Sequence, residues 1–220
     1  MAFAKPPVVK SAGFQPPPKE AAPAEKKIVV TGKTLDHIAG QIRTCSSCSL
    51  QASRNQTVPG EGNSHHPDIL FIGEGPGPED DEQGRPFSGE AGQLLDKMIQ
   101  AMGYSRADVF ITTLVKCRPP ALRIPLPNEI QMCQPYLDAQ IALIRPKIIV
   151  ALGKTVVETL LGKPVSIVKM RGTWFVYQGI DVMPTYHPGY LLKSPTHKGD
   201  AWSDLKAVLT RLGKAPPTKK

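Results

Sequence analysis

Long apolar runs are missing from this sequence. No stretch reaches the roughly 18 consecutive apolar residues that a helix needs to cross a bilayer, which argues against an integral membrane protein. Cysteine is scarce as well, with 4 among 220 residues, and this excludes a scaffold built from disulfide bonds. The first residues lack the apolar segment of a signal peptide, so we expect a cytoplasmic protein.

Acidic residues are outnumbered, 19 against 27 Lys and Arg, which gives a formal charge of +8 and a pI near 9.4. Such a balance favours a polyanionic partner. Proline, by contrast, is abundant, and six prolines fall within residues 1–27, where large apolar side chains are almost absent. This composition predicts a disordered basic arm over residues 1–32. We expect one folded domain over residues 33–213 and a basic tail over residues 214–220.

Short apolar runs alternate with helical patterns inside this domain. The candidate buried strands are residues 68–72, 109–114, 147–152 and 181–186. The candidate helices are residues 35–42, a segment capped by Ser88, a segment capped by Asn128 and disturbed at Pro135, and residues 154–161. The alternation predicts an α/β fold with a parallel sheet covered on both faces. Because ligands bind at the carboxyl ends of such strands, the loops after Ile72, Leu114 and Tyr186 are the candidate site.

The four cysteines are candidates for one metal centre. Cys45 and Cys48 form a CxxC pair, Cys117 follows a predicted strand and Cys133 lies in a predicted helix. One tight pair with two dispersed cysteines suits an iron–sulfur cluster better than a zinc ribbon, which usually has two tight pairs. Zinc ligation and separate buried thiols remain alternatives, whereas a thioredoxin-type pair would need a strand-then-helix setting.

Two of the candidate loops carry side chains suited to chemistry. Glu74 directly follows the first strand, in a glycine-rich loop that matches neither the dinucleotide-binding pattern nor the P-loop. This loop ends at Phe87, and its acidic run over residues 79–82 is also consistent with a solvated turn. His187 follows the last strand, where a structural histidine is the alternative. Leu191 and Leu192 behind it either cap a helix or form an exposed apolar wedge.

Taken together, these motifs resemble the family-four uracil-DNA glycosylases. The segments GEGPG (73–77), EDD (79–81), GRPF (84–87) and GEAGQLL (89–95) are similar to that family's first motif. The segment VKCRPP (115–120) is similar to the region of its third cluster cysteine, and HPGYLL (187–192) to its second catalytic motif. The resemblance implies a three-layer α/β/α sandwich on a four-stranded parallel sheet. It also implies a 4Fe–4S cluster held by Cys45, Cys48, Cys117 and Cys133.

The resemblance further implies an activity and a role for each site residue. The enzyme would flip uracil out of DNA and hydrolyse its N-glycosidic bond, leaving an abasic site. The implied catalytic residues are Glu74, His187 and Asp80. The implied substrate-binding residues are Gly75, where better-known uracil glycosylases carry an aspartate, Phe87 as a stacking ring, Thr113, and Leu191 as the wedge that fills the vacated space.

Two positions depart from the family pattern. Thr113 stands where the family has an asparagine expected to read the uracil edge, and Asp80 stands where it has a glutamate. Thr113 keeps open the related glycosylases with a broader range of deaminated bases, although Glu74 argues against them because they carry an apolar residue there. A further alternative is a non-catalytic iron–sulfur module that binds DNA. We expect a monomer acting on single- or double-stranded DNA, with an N-terminal arm that binds a repair or replication protein.

Overall fold

The computed structural model describes residues 29–217. The predicted basic arm lies outside this range except for residues 29–32, as do the last three residues of the predicted tail. The first residue of that tail belongs to the folded domain, contrary to the prediction. Lys214 Nζ lies 2.7 Å from Asp68 Oδ2 and 4.5 Å from the centre of the Tyr104 ring. An ion pair and a cation–π contact therefore anchor Lys214, and neither can be inferred from local composition.

Strands and helices alternate along the described part of the chain. The strands are β1 (Glu61–Gly62), β2 (Ile69–Gly73), β3 (Phe110–Thr113), β4 (Ile148–Leu152), β5 (Phe175–Tyr177) and β6 (Ile180–Thr185). The α-helices are α1 (Leu35–Thr44), α2 (Pro78–Gln83), α3 (Glu90–Ala101), α4 (Pro127–Ile144), α5 (Lys154–Leu161), α6 (Ile167–Met170), α7 (Pro188–Lys193) and α8 (Lys198–Arg211). Of the helices described, none combines the length and the hydrophobicity needed to span a bilayer.

The sheet is built around four parallel strands. β3, β2, β4 and β6 lie side by side in that order, with Leu70 opposite Phe110 and Ile69 opposite Ile148. This confirms the predicted parallel sheet. β1 and β5 extend it antiparallel at its two edges. The sequence did not predict these strands because two or three residues are too few to show a period of two.

Alternate residues of the strands face opposite helical layers. On β2, Leu70 and Ile72 pack in one core with residues of α1, α4 and α5. Ile69 and Phe71 point to the other face and pack with residues of α3 and α8. Both faces are apolar because both are covered, and the three-layer architecture is confirmed.

Two predicted helix starts were wrong by one or two residues. Gly89, not Ser88, precedes α3, because the Ser88 hydroxyl donates to the Arg85 carbonyl and is committed there. α4 begins at Pro127, and its cap is made by Glu129, whose carboxylate accepts the Leu126 N–H at 2.8 Å. α4 also continues past Pro135, as its later turns are held in the core.

Candidate active site

The carboxyl ends of the parallel strands open onto one cleft. Glu74 follows β2, Gly153 follows β4, and His187 lies two residues beyond β6. The three line a cleft of about 780 Å³. Glu74 and His187 also line an adjoining pocket of about 150 Å³ together with Gly75. The structure therefore brings the predicted catalytic pair together at the predicted edge of the sheet.

Glycine is required where the β4 loop meets this pair. Gly153 has φ +97°, and a Cβ added to it would lie 3.1 Å from His187 Cβ and 3.2 Å from Glu74 Oε1. A side chain here would strain the backbone and push Glu74 and His187 apart. Gly153 was not selected from the sequence. It could have been, because ligands bind at the carboxyl ends of parallel strands, and Gly153 follows β4 just as Glu74 follows β2.

The His187 ring is held in one tautomer. Its Nδ1 accepts the backbone N–H of Gly189 at 3.1 Å, so the proton of the neutral ring lies on Nε2. Burial lowers the pKa of His187, and the charges of Glu74 and Asp80 oppose this shift without overcoming it. The imidazole is therefore neutral at neutral pH and has Nε2–H as its one donor.

Phe87 lies against His187 and does not line the cleft or the smaller pocket. The two ring centroids are 5.6 Å apart, and Phe87 packs in the core beside β2. Its backbone has φ +54°, which non-glycine residues rarely adopt. Gly73 makes the position possible, because a Cβ there would lie 2.6 Å from the Phe87 ring. The Phe87 ring therefore packs against the histidine ring, and its stacking on a flipped base stays a prediction.

The acidic run is not a solvated turn but the helix α2, with two buried carboxylates. Asp80 accepts the N–H groups of Gly77 at 3.0 Å and Ser88 at 2.6 Å. Asp81 accepts the N–H of Asn55 at 2.9 Å. Asp80 was predicted to be catalytic, but its two oxygens are bonded to backbone groups. Its bond to the Ser88 N–H closes the loop that carries Phe87.

Gly75 and Thr113 occupy crowded positions beside the cleft. A Cβ on Gly75 would lie 2.9 Å from Val115 Cγ2, so the Val115 side chain would have to shift to admit any larger residue at this position. Thr113 is buried at the end of β3, and its hydroxyl donates to the Val115 carbonyl oxygen at 2.7 Å. In this conformation the Thr113 hydroxyl is bonded to the backbone and lies outside the lining of both pockets.

The predicted wedge residue is inside the protein. Leu191 is only 1% exposed and packs against Tyr186 and Ala201, because α7 turns that side chain inward. Its neighbours Tyr190 and Leu192 are on the outer side, at 41% and 38% exposure. Leu191 therefore does not project from the surface as an exposed apolar wedge, and the sequence of the loop could not show which leucine faces inward.

A second apolar element borders the cleft, on the segment between Cys117 and Cys133. Leu122 and Ile124 are strongly exposed, and Leu122 lines both the cleft and the smaller pocket. Arg123 between them pairs with the buried Glu129 at 2.6 Å. The arginines of this segment are thus held in internal ion pairs, since Arg118 also lies 3.6 Å from the buried Asp81. The cations that line the cleft are instead Lys193 and Lys154, of which Lys154 lies 3.6 Å from the partly exposed Glu158.

The four cysteines surround one small cavity. Cys45, Cys48, Cys117 and Cys133 all line it, although they come from the end of α1, the β3 loop and α4. Among residues 29–217, no three His, Cys, Asp or Glu side chains are spaced for a single metal ion. A cluster separates its cysteine ligands more widely, because each binds a different iron. The donor set of four thiols around a common cavity therefore fits a cubane cluster.

Donors to sulfur surround this cavity. Arg54 Nη1 lies 3.0 Å from Cys117 Sγ, and the Lys116 backbone N–H lies 3.3 Å from Cys133 Sγ. The Lys116 side chain is fully buried, and its Nζ donates to Thr112 Oγ1, the Thr113 carbonyl oxygen and Gln140 Oε1. Burial lowers the pKa of Lys116 to about 8. Such N–H···S bonds and nearby cations tune thiolate ligands, and sequence reasoning had not singled out Lys116 or Arg54.

Comparison with known proteins gives consistent matches. The family model for the uracil DNA glycosylase superfamily matches residues 59–206. A type-4 uracil-DNA glycosylase of Saccharolobus solfataricus is 46% identical over 193 residues, which cover 84% of this chain and 89% of that protein. One of Thermotoga maritima is 44% identical over 168 residues, covering 74% and 86%. A type-5 uracil-DNA glycosylase of Pyrobaculum aerophilum is 34% identical over 125 residues, covering only 49% and 54%.

Proposed function

The chain belongs to the type-4 uracil-DNA glycosylases, a branch of the uracil-DNA glycosylase superfamily, and on that premise we propose how its cleft excises uracil. It is a DNA-repair enzyme that hydrolyses the N-glycosidic bond of uracil and leaves an abasic site. Since the base is stacked in DNA, it must be extruded into a pocket before the bond can break. The observation that carries the mechanism is the pairing of a tautomer-fixed His187 with Glu74 across one cleft.

We assign His187 to the departing base. Breaking the bond builds negative charge on uracil, and a neutral Nε2–H can donate to the oxygen where that charge collects. One preorganised donor of this kind contributes about 2.7–4 kcal/mol to the transition state. The hydrogen bond from the Gly189 N–H to Nδ1 keeps the donor on the correct nitrogen. Phe87 packs against the ring, with the two centroids 5.6 Å apart.

We assign Glu74 to the sugar. Cleavage leaves positive charge on the deoxyribose, and a carboxylate close to it can stabilise that charge or orient the attacking water. The position of Glu74 on the wall shared by the cleft and the smaller pocket supports this assignment. Gly75 beside it provides no alternative base, and Asp80 is bonded to backbone N–H groups.

A 4Fe–4S cluster is proposed for the cysteine cavity, with Cys45, Cys48, Cys117 and Cys133 as its ligands. When bound, the cluster supplies covalent cross-links between three distant segments rather than a step in the reaction. Arg54 and the Lys116 N–H would bond to its thiolate sulfurs. The same cross-link would hold the ends of the segment between Cys117 and Cys133, which borders the active-site cleft.

DNA binding is proposed to depend on phosphate contacts at the rim. Lys154 and Lys193 flank the cleft, and the chain carries a formal charge of +8. Affinity should therefore fall with salt, by about 0.7 log units per tenfold salt for each phosphate contacted on a single strand.

The test is abasic-site formation, detected by alkali cleavage of labelled oligonucleotides. We expect cleavage of uracil substrates and little of hypoxanthine or xanthine. Equal release of all three bases would favour the broader-range glycosylases. DNA binding without any release would favour a non-catalytic module. Comparing single-stranded with duplex uracil DNA in the same assay gives the strand preference.

A further inference from the structure

Among the large hydrophobic side chains described, the most exposed one that lines the active-site cleft is not on the histidine loop. Leu122 is 68% exposed and lines both the cleft and the smaller pocket, beside Glu74 and His187 in each. Ile124, two residues on, also lines the smaller pocket and is 60% exposed. Exposed apolar side chains grouped beside a catalytic pair indicate a surface that is covered when substrate binds.

The backbone under Leu122 is strained. Ala121 and Leu122 both have left-handed conformations, with φ of +52° and +56°, although neither is glycine. Consecutive residues of this kind persist only where their surroundings fix them, and they concentrate at functional sites. Here the left-handed conformation leaves the Leu122 side chain exposed at the edge of the cleft instead of packed against the protein.

The surroundings that fix this turn are rigid. Arg123 directly after it donates twice to the carboxylate of Glu129, which is fully buried. Glu129 also accepts from the Leu126 N–H at 2.8 Å and from Ser49 Oγ at 3.0 Å. The turn is thus fastened to the start of α4 and to the CxxC segment. A rigid support is what an intruding side chain needs, because it must not fold away when it meets stacked bases.

We propose that Leu122 is the wedge that enters the DNA stack when uracil is flipped. The leucine expected for this task, Leu191, is buried in the core, whereas Leu122 is exposed and lines both the cleft and the smaller pocket. An apolar side chain that fills the vacated space prevents the base from returning. This inference rests on the proposed uracil excision and concerns duplex DNA, where the flipped base leaves a gap between paired neighbours.

The test compares Leu122→Ala with Leu126→Ala in single-turnover excision. Leu126 is exposed on the same segment but lines neither pocket, so it is the matched control. We expect Leu122→Ala to slow excision from duplex DNA by about tenfold or more and from single-stranded DNA by less than about threefold. Leu126→Ala should match the wild type on both substrates.

Two further measurements sharpen the test. With 2-aminopurine beside the uracil, Leu122→Ala should give a smaller fluorescence rise on binding, because fewer bases are unstacked. A pyrene nucleotide opposite the uracil, which itself fills the gap, should restore the duplex rate. An equal loss on both strand forms, or no loss on duplex DNA, would overturn the wedge assignment. If the wild type releases uracil from neither substrate, the proposed function fails instead.

Discussion

Replacing His187 tests the proposed mechanism most directly. His187→Ala removes the Nε2–H donor that is proposed to bond the departing base. One preorganised donor in a water-poor site is worth about 2.7–4 kcal/mol, so we expect the single-turnover rate to fall by about 10²–10³. DNA affinity should change little, because the charge that His187 stabilises develops only in the transition state. His187→Gln, which keeps an N–H on a side chain of similar reach, should lose less.

The pH dependence gives an independent readout of the same residue. Burial lowers the pKa of His187 from its ordinary 6.5, while Glu74 and Asp80 oppose the shift. The active neutral form is therefore retained as the pH falls to 6.5 and is lost only below it. Protonation is unfavourable for a second reason. It places a proton on Nδ1, which now accepts the Gly189 N–H. The rate should thus be level from about pH 8 to 6.5 and then decline.

The assay is single-turnover excision from single-stranded uracil DNA, followed by alkali cleavage, over a series of pH values. His65→Ala is the control, since His65 is exposed and bonded to Ser64 away from the cleft. A rate that increases below pH 6.5 would show that the imidazolium is the active form. An unchanged rate in His187→Ala would refute the role assigned to this residue.

Four further outcomes are expected. Glu74→Gln should lower the excision rate by tenfold or more with less than about threefold change in DNA Kd, and a change confined to Kd would contradict its role at the sugar. Protein purified without oxygen should be brown and contain iron and sulfide, and Cys133→Ala should lose both, whereas zinc without iron would exclude the cluster. Thr113→Asn should raise the rate on uracil relative to hypoxanthine, because the Thr113 hydroxyl is bonded to the Val115 carbonyl whereas an amide is one bond longer and offers a fixed donor and acceptor, and unchanged rates and ratios would show that position 113 does not face the base. Glu129→Gln should lower the free energy of unfolding by roughly 1.5–3 kcal/mol. Burial tends to raise the pKa of Glu129, but bonds from Arg123, Leu126 and Ser49 hold it below 4.5, so the carboxylate stabilises the fold above pH 4.5 and ceases to do so in more acidic solution. The melting temperature of the wild type should therefore show this loss as the pH falls, and that of the variant should not.

The sequence was sufficient for the parallel core and for the place of the site. Four apolar runs separated by helical patterns are compatible with few folds other than a parallel α/β sheet. Because the carboxyl ends of parallel strands lie at one edge of the sheet, Glu74 and His187 are then expected at that edge. Both inferences depend on local patterns and on a general property of parallel sheets.

What the sequence could not show depends on contacts between distant segments. The run 79–82 looks solvated because charged residues usually are, but Asp81 meets Asn55 and Arg118, which are remote in sequence. Leu191 and Leu192 are chemically the same, and only the packing of α7 on Tyr186 decides which is buried. Leu122 carries no periodic signal at all, because its exposure follows from a strained turn held by Glu129.

The short edge strands have a consequence for how the protein behaves at high concentration. β3 and β6 would otherwise present unpaired N–H and C=O groups, a template on which another copy could add its own strand. β1 covers one side with two residues and β5 the other with three. A strand that short has too few backbone N–H and C=O groups to pair stably with a strand of another protein molecule. In β1, Gly62 has φ +115°, which bends this edge of the sheet out of the extended conformation. The short edge strands β1 and β5 thus protect the sheet against aggregation, although they contribute little to its core.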